Sequence, residues 1–296
     1  MKFMKYFLFL ITIIITAIIL WGMNRGFDIS DEGFYLLHYQ DSYYAPFDIH
    51  LFYKIVKWVF GFVDLTIINL RVIRLILIFL SGTIFTIGLM EWTKDKRVSV
   101  TNMNNASVFL FILLGCLISY GMFPQSLSYD SMNSFIFITS AGLFFYAMRD
   151  YDNQNKIRYF IPFFIIGFLL SLQVFIKVPS FLLLFVSYIV LILLMRGFSP
   201  GYKVLLLLIL FSGFAAGLIL YNYFVENILI SYNGFRSAQF IVQSLDSGYK
   251  YSDLFINILR ASWQIGILII ISLILSGLFF ILRRAFRTSG NKFLSG

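Results

Sequence analysis

The chain has 296 residues, 60% of them apolar, 20% aromatic and only 12% charged, with a net charge of +9. That composition excludes an ordinary soluble domain and points to an all-α integral membrane protein.

The first uncharged run, 6–23, is about long enough to cross a hydrocarbon core roughly 30 Å thick. Lys2 and Lys5 precede it as in a signal peptide, but Trp21-Gly22-Met23-Asn24 offers no small-residue cleavage site. It reads as a retained helix. A long loop, 24–66, follows and carries two adjacent acids, Asp31 and Glu32. Ser30 is placed to cap a short helix ending at Tyr39, Pro46 ends the next turn, and the amphipathic stretch 50–63 is suited to lie along a membrane interface.

Further uncharged runs fall at about 75–90, 107–123, 131–148, 159–176, 178–195, 204–224 and 261–282, giving about eight transmembrane helices. Only Lys177 separates the fifth from the sixth. Joined as one helix they would be about 55 Å long, far beyond what a bilayer needs. Val178-Pro179 supplies the break, so the two fold back with Lys177 at the apex. The second long loop, 225–260, holds the turn signal Tyr232-Asn233-Gly234, a short surface helix at 235–245 and a mobile Asp246-Ser247-Gly248. Residues 261–296 form the last span and a basic tail. The domain plan is therefore a transmembrane module over 1–224, an external loop over 225–260, and the closing span with its tail.

Charge sets the orientation. With eight crossings from an internal N-terminus, the internal segments hold fourteen cations against four acids, a net charge of +10. The external side then takes nine cations and ten acids, net −1. The overall positive charge is thus topological, and nucleic acid is not an implied partner. Cys116 stands alone and reads as a small packing residue. No Cys/His ligand cluster and no phosphate-binding glycine loop occurs. Internal connections are short, so function belongs to the external loops of a cell-membrane protein with both termini in the cytoplasm.

Three motifs resemble those of one superfamily. Gly26-Phe27-Asp28-Ile29-Ser30-Asp31-Glu32-Gly33-Phe34-Tyr35 resembles the first external loop of the GT-C polytopic glycosyltransferases, with their protein O-mannosyltransferase and aminoarabinose transferase branches. Phe123-Pro124-Gln125-Ser126-Leu127-Ser128-Tyr129-Asp130 looks like that family's second external loop, with its further acid at the start of the fourth span. The run 167–180, with Lys177 before Val178-Pro179, resembles the family hairpin in which Lys marks the outer turn. The three occur in the family's order and cover most of 1–224.

The resemblance implies transfer of a sugar from a polyprenyl-phosphate donor to an external glycan, lipid or protein acceptor, with inversion at the anomeric carbon. Asp31 would be the general base. Glu32 would orient it or bind sugar hydroxyls, Tyr35 would belong to the same site, and Lys177, with Arg71 and Arg74, would bind the lipid phosphate. Asp130 would contact the acceptor, or share a divalent cation (Mg or Mn) with Asp31 and Glu32. His50 enters because related enzymes often carry His-Pro near this point, whereas this chain has His50-Leu51.

Each residue also has a plainer role. Asp31 and Glu32 complement the positive end of a helix, Asp130 caps the fourth span, and Lys177, Arg71 and Arg74 snorkel to the headgroups. His38 and His50 lie on polar loop faces, and Gly213 with Gly217 serves close helix packing. Two other functional classes stay open: a transporter or lipid flippase, and a noncatalytic subunit of an envelope-assembly complex. The topology is tested by cysteine scanning in intact cells with a membrane-impermeant thiol reagent. Cysteine at Ser247 labels and cysteine at Asn153 does not; the opposite result inverts the orientation.

Overall fold

A computed structural model describes residues 2–26, 31–39, 51–95, 105–122, 125–148, 157–195, 198–244, and the helical positions 256, 259, 260, 263 and 267. The described residues are predominantly helical, with no strand among them. In chain order the helices are α1 (Lys2–Gly22), α2 (Asp31–Tyr39), α3 (Phe52–Phe60), α4 (Ile67–Asp95), α5 (Asn105–Ile118), α6 (Tyr129–Ala147), α7 (Ile157–Ile176), α8 (Val178–Leu194), α9 (Pro200–Leu220) and α10 (Ile228–Ser244). A 3-10 turn (Ser119–Met122) prolongs α5, and a π-helical turn (Tyr221–Val225) prolongs α9. Met1–Ala238 forms one compact unit and Gln239–Gly296 a second.

Among the described residues, four helical stretches are long and apolar enough to cross a membrane: Lys5–Gly22, Ile67–Thr93, Tyr159–Ile176 and Pro200–Val225. The helix of α5 and its 3-10 turn, and α8, are apolar but shorter. Helix α6, which carries Asp130, Asn133, Thr139 and three serines, is not among the four. The run 261–282 lies outside the described residues apart from isolated positions, as do Ser30, Pro46, His50 and Asp246-Ser247-Gly248.

Helix α4 starts at Ile67, where the expected loop 24–66 ends, and Arg71 and Arg74 are accommodated inside it. Two expectations in the second long loop need correction. The expected turn at Tyr232-Asn233-Gly234 is absent. Among the described glycines Gly26 is the one with positive φ, so Gly234 does not take the left-handed conformation a turn signal calls for, and α10 runs through it. That helix starts earlier because Asn side chains accept its first free amides, Asn222 from Ile228 at 2.9 Å and Asn227 from Leu229 at 2.9 Å. The amphipathic stretch is helical as expected over α3, where Phe52, Tyr53, Ile55 and Val56 are buried while Lys57, Trp58 and Val59 face outward.

The fold-back at Lys177 follows from how the neighbouring helices pack. Contacts between α7 and α9 ascend together, from Tyr159 beside Tyr202, through Ser171 beside Gly217, to Phe175 stacked on Tyr221 at 3.6 Å. Those helices are therefore parallel, which obliges α8 to run back antiparallel to both. Phe181 against Phe214 and Phe185 against Phe211 trace that return. Pro179 in the first turn of α8 suits the break, since its missing amide would have had no partner there. In the same way α4 opposes α5, with Arg74 beside Tyr120 and Gly82 beside Cys116. Likewise α6 opposes α7, with Asp130 beside Lys177 and Phe144 beside Phe163. Alternation thus gathers the ends of α5, α7 and α9 and the starts of α4, α6 and α8 at one end of this unit.

Glycines set the closest approaches. A Cβ on Gly213 would collide with the Phe164 carbonyl and one on Gly167 with the Leu210 carbonyl, while a Cβ on Gly142 would lie 2.6 Å from the Phe85 Cα. Gly213 and Gly217 are packing residues. Backbone cannot swing aside as a side chain can, so Gly213→Ala is expected to cost about 1–3 kcal/mol. Gly201→Ala, with open space around the new methyl, should cost nothing. Thermal unfolding of the two purified variants in detergent checks the contrast.

Candidate functional site

The end that collects these helix termini is built around a buried carboxylate. Glu32, in the first turn of α2, is 1% exposed. Its Oε1 accepts from Arg71 Nε at 3.1 Å and from the Ser126 amide at 2.8 Å, and its Oε2 accepts from Arg71 Nη2 at 2.6 Å. Arg71 donates its other protons to the carbonyls of Met23 at 2.7 Å, Arg25 at 3.2 Å and Gly26 at 2.8 Å. All five guanidinium N–H groups are used. Three of them satisfy carbonyls just past the end of α1, where a helix lacks internal partners and a cation is favoured. Gly26, at φ +69°, takes the left-handed conformation that turns its carbonyl toward Arg71.

Arg74, one turn further along α4, is also buried. Its Nη2 reaches the Ser119 carbonyl at 3.4 Å and its guanidinium lies 4.6 Å from the Tyr120 ring. Neither arginine snorkels to a headgroup layer; each turns inward to carboxylate, carbonyl or ring. The backbone of Asp31 opens α2 one residue before Glu32, and nothing further is described of its side chain.

The second loop feeds into α6. Its helix is capped by Ser128, whose hydroxyl accepts from the Ser131 amide at 3.2 Å while the Ser131 hydroxyl accepts from the Ser128 amide at 2.8 Å. The cap is thus Ser128 and not Asp130. The Asp130 carboxylate instead meets the hairpin apex, with Lys177 Nζ 2.8 Å from its Oδ1. The same ammonium lies 5.5 Å from the centre of the Tyr129 ring. One turn deeper, Gln173 Nε2 donates to Asn133 Oδ1.

The two ion pairs differ in access. Glu32 and Arg71 are 1% and 3% exposed at the side chain, whereas Asp130 and Lys177 are 29% and 38% exposed. The first is sealed and the second can meet a ligand.

An aromatic layer from α2 and α3 lies beside them. Tyr35 meets Phe52 edge-on at 5.8 Å, Phe52 meets Tyr129 at 6.0 Å, and His38 stacks on Tyr53 at 4.2 Å. His38 is therefore a half-buried helical residue rather than a polar loop position. Burial, with Tyr53 and Tyr35 adding to it, pushes the Tyr39 phenol well above its ordinary value, so it stays neutral. Tyr39, Arg71, Leu36, Met23 and Asp64 help line a cavity of about 790 Å³ between the end of α1, α2 and the start of α4. It is large enough for a small molecule or part of a lipid.

A third polar cluster was not signalled by any motif. Lys54 of α3 places its Nζ 2.8 Å from both carboxylate oxygens of Glu226, just beyond the π-helical turn. Glu226 Oε2 also accepts from the Ser231 hydroxyl at 2.5 Å, and Ser231 lies 3.1 Å from the Tyr221 hydroxyl. The available signal was an acid directly after an apolar run, which needs a partner. Gln173 and Asn133 could have been found likewise, as amides inside apolar helices.

The carboxylate of Glu32 does not fit a divalent ion in this arrangement. Its oxygens already hold a guanidinium and an amide, and the Arg71 charge would repel a second cation. Among the described residues no group of three or more His, Cys, Asp and Glu side chains is arranged to hold a metal. No protein-family model, curated protein or solved structure matches the chain.

Removing Arg71 would strand the Glu32 charge in a sealed site. Arg71→Met is expected to destabilise the fold by about 3–5 kcal/mol. Glu32→Gln keeps an acceptor for the Ser126 amide but leaves the buried Arg71 charge without its anion, so it is expected to destabilise the fold as well. Denaturant unfolding in detergent, followed by tryptophan fluorescence, measures both.

Proposed function

We propose that the protein is a multi-pass membrane glycosyltransferase of about eight spans. It takes a sugar from a polyprenyl-phosphate donor and passes it to an acceptor hydroxyl at the external face. The observation that carries this reading is the Glu32–Ser126 hydrogen bond, which ties the start of α2 to the loop entering α6 four residues before Asp130. With Lys177 on Asp130, the three motifs that resemble those of the GT-C enzymes meet at one end of the bundle. Separate structural roles would not require that meeting.

In the reaction, the acceptor hydroxyl gives its proton to the Asp31 carboxylate as its oxygen attacks the anomeric carbon. The bond from that carbon to the phosphate oxygen breaks, configuration inverts, and polyprenyl phosphate leaves. Lys177 offsets the charge that grows on the leaving phosphate, in surroundings with little water to screen it. Glu32, fully engaged by Arg71, is a positioning residue: it anchors the first turn of α2 and with it the backbone of Asp31. Tyr35 holds α2 against Phe52 of α3. Arg74 adds a second buried cation behind the site.

Asp31→Asn tests the base. It keeps size and helix-start tolerance while removing the basic carboxylate. Transfer from a lipid-phosphate sugar in membranes containing the acceptor should fall about 10²- to 10⁴-fold with donor binding retained. Full transfer by the folded variant would overturn the assignment.

A further inference from the structure

Three features of the Lys177–Asp130 pair set it apart from the other ion pairs among the described residues. It is held by a single carboxylate oxygen, Oδ1 at 2.8 Å, whereas Arg71 grips both oxygens of Glu32 and Lys54 both oxygens of Glu226. Among the described residues Asp130 is the one hydrogen-bond partner of the Lys177 ammonium, so two of its three N–H donors are free for other oxygens. It is also the most exposed of the three pairs.

The backbone around the pair is firm. The Lys177 amide donates to the Gln173 carbonyl at 2.9 Å and its carbonyl accepts from Phe181 at 3.0 Å, which joins α7 to α8 across the apex. Asp130 sits in the first turn of a helix capped by other residues. Its side chain can therefore rotate away without disturbing the helix start. The Tyr129 ring, 5.5 Å from the ammonium, keeps a contact with Lys177 when the carboxylate leaves.

We infer that Asp130 is an exchangeable counter-ion: it holds the Lys177 ammonium in the ligand-free protein and gives it up to the phosphate oxygens of an entering lipid phosphate. This rests on the reading of Lys177 as the phosphate-binding residue. Asp130 neither contacts the acceptor nor ligates a metal on this view; it sets how tightly the phosphate is held. The carboxylate competes with donor and product alike, and its return to Lys177 helps a spent polyprenyl phosphate depart. The cost of opening a partly exposed pair is small, so the exchange needs no conformational change elsewhere.

The inference predicts a sign. Binding of polyprenyl phosphate to the purified full chain in detergent is measured for wild type, Asp130→Asn, Lys177→Ala and the double variant, with inorganic phosphate as a parallel ligand. Lys177→Ala should weaken binding, Asp130→Asn should tighten it about two- to fivefold, and Asp130→Asn should have no effect once Lys177 is gone. Should the Asn variant unfold, Asp130→Ala carries the same expected sign. Weaker or unchanged binding in Asp130→Asn, beside weakened binding in Lys177→Ala, overturns the counter-ion while leaving Lys177 as the phosphate residue. Unchanged binding in Lys177→Ala overturns both. Tightening for inorganic phosphate alone overturns the lipid as the source of the phosphate.

Discussion

The arrangement of the helix ends around α2 depends on one buried ion pair. Arg71 lies inside an apolar helix, where an unpaired guanidinium would be very costly, and Glu32 reaches it from a different element. Removing both charges from water offsets much of their mutual attraction, so the pair does more for geometry than for net stability. Its geometry is well defined, because a planar guanidinium with five directed donors fits only one disposition of carboxylate and carbonyls. That disposition joins the end of α1, the start of α2, the start of α4 and the loop before α6.

Around this sealed pair the remaining charges are graded by access. Lys54 and Glu226 are partly exposed but locked by both carboxylate oxygens and by Ser231. They tie α3 to the π-helical turn beyond α9, whose Tyr221 also stacks on Phe175. Helix α3 in turn backs Tyr129 through Phe52, and Tyr129 faces the Lys177 ammonium. These contacts surround the one ion pair among the described residues that is both open and held by a single carboxylate oxygen. A binding group needs that combination: a fixed cation whose resting partner is easily displaced.

The opposite end of the same unit is held differently. Phe163, Ile166, Leu170, Ile192, Leu206 and Leu210 are wholly buried there among α7, α8 and α9. Glycines bring the backbones of α7 and α9 into contact, and similar contacts join α4 to α6. Dispersion and close approach suffice where no charge has to be placed. Among the described residues, the ion pairs Glu32–Arg71, Asp130–Lys177 and Lys54–Glu226 add directed contacts to an apolar cluster at the first end, whereas apolar packing dominates at the second.

Much of this was legible in the sequence because hydrophobic run lengths and their breaks are local properties. The uncharged runs 6–23, 159–176, 178–195 and 204–224 are helical within a few residues of those bounds, the apex at Lys177 follows from one proline and one lysine, and the short helix ending at Tyr39 was expected from its start signal. The acid pair, Asp130 and Lys177 were marked as candidates by motif order alone. What each carboxylate holds depended on the tertiary structure. Only the packed bundle decides that Glu32 takes Arg71 while Asp130 takes Lys177, that Ser128 rather than Asp130 caps α6, and that Glu226 answers Lys54 across 172 residues of chain. A charge inside an apolar run declares that it needs a partner, but its partner is selected by distance in space, which no spacing along the chain encodes.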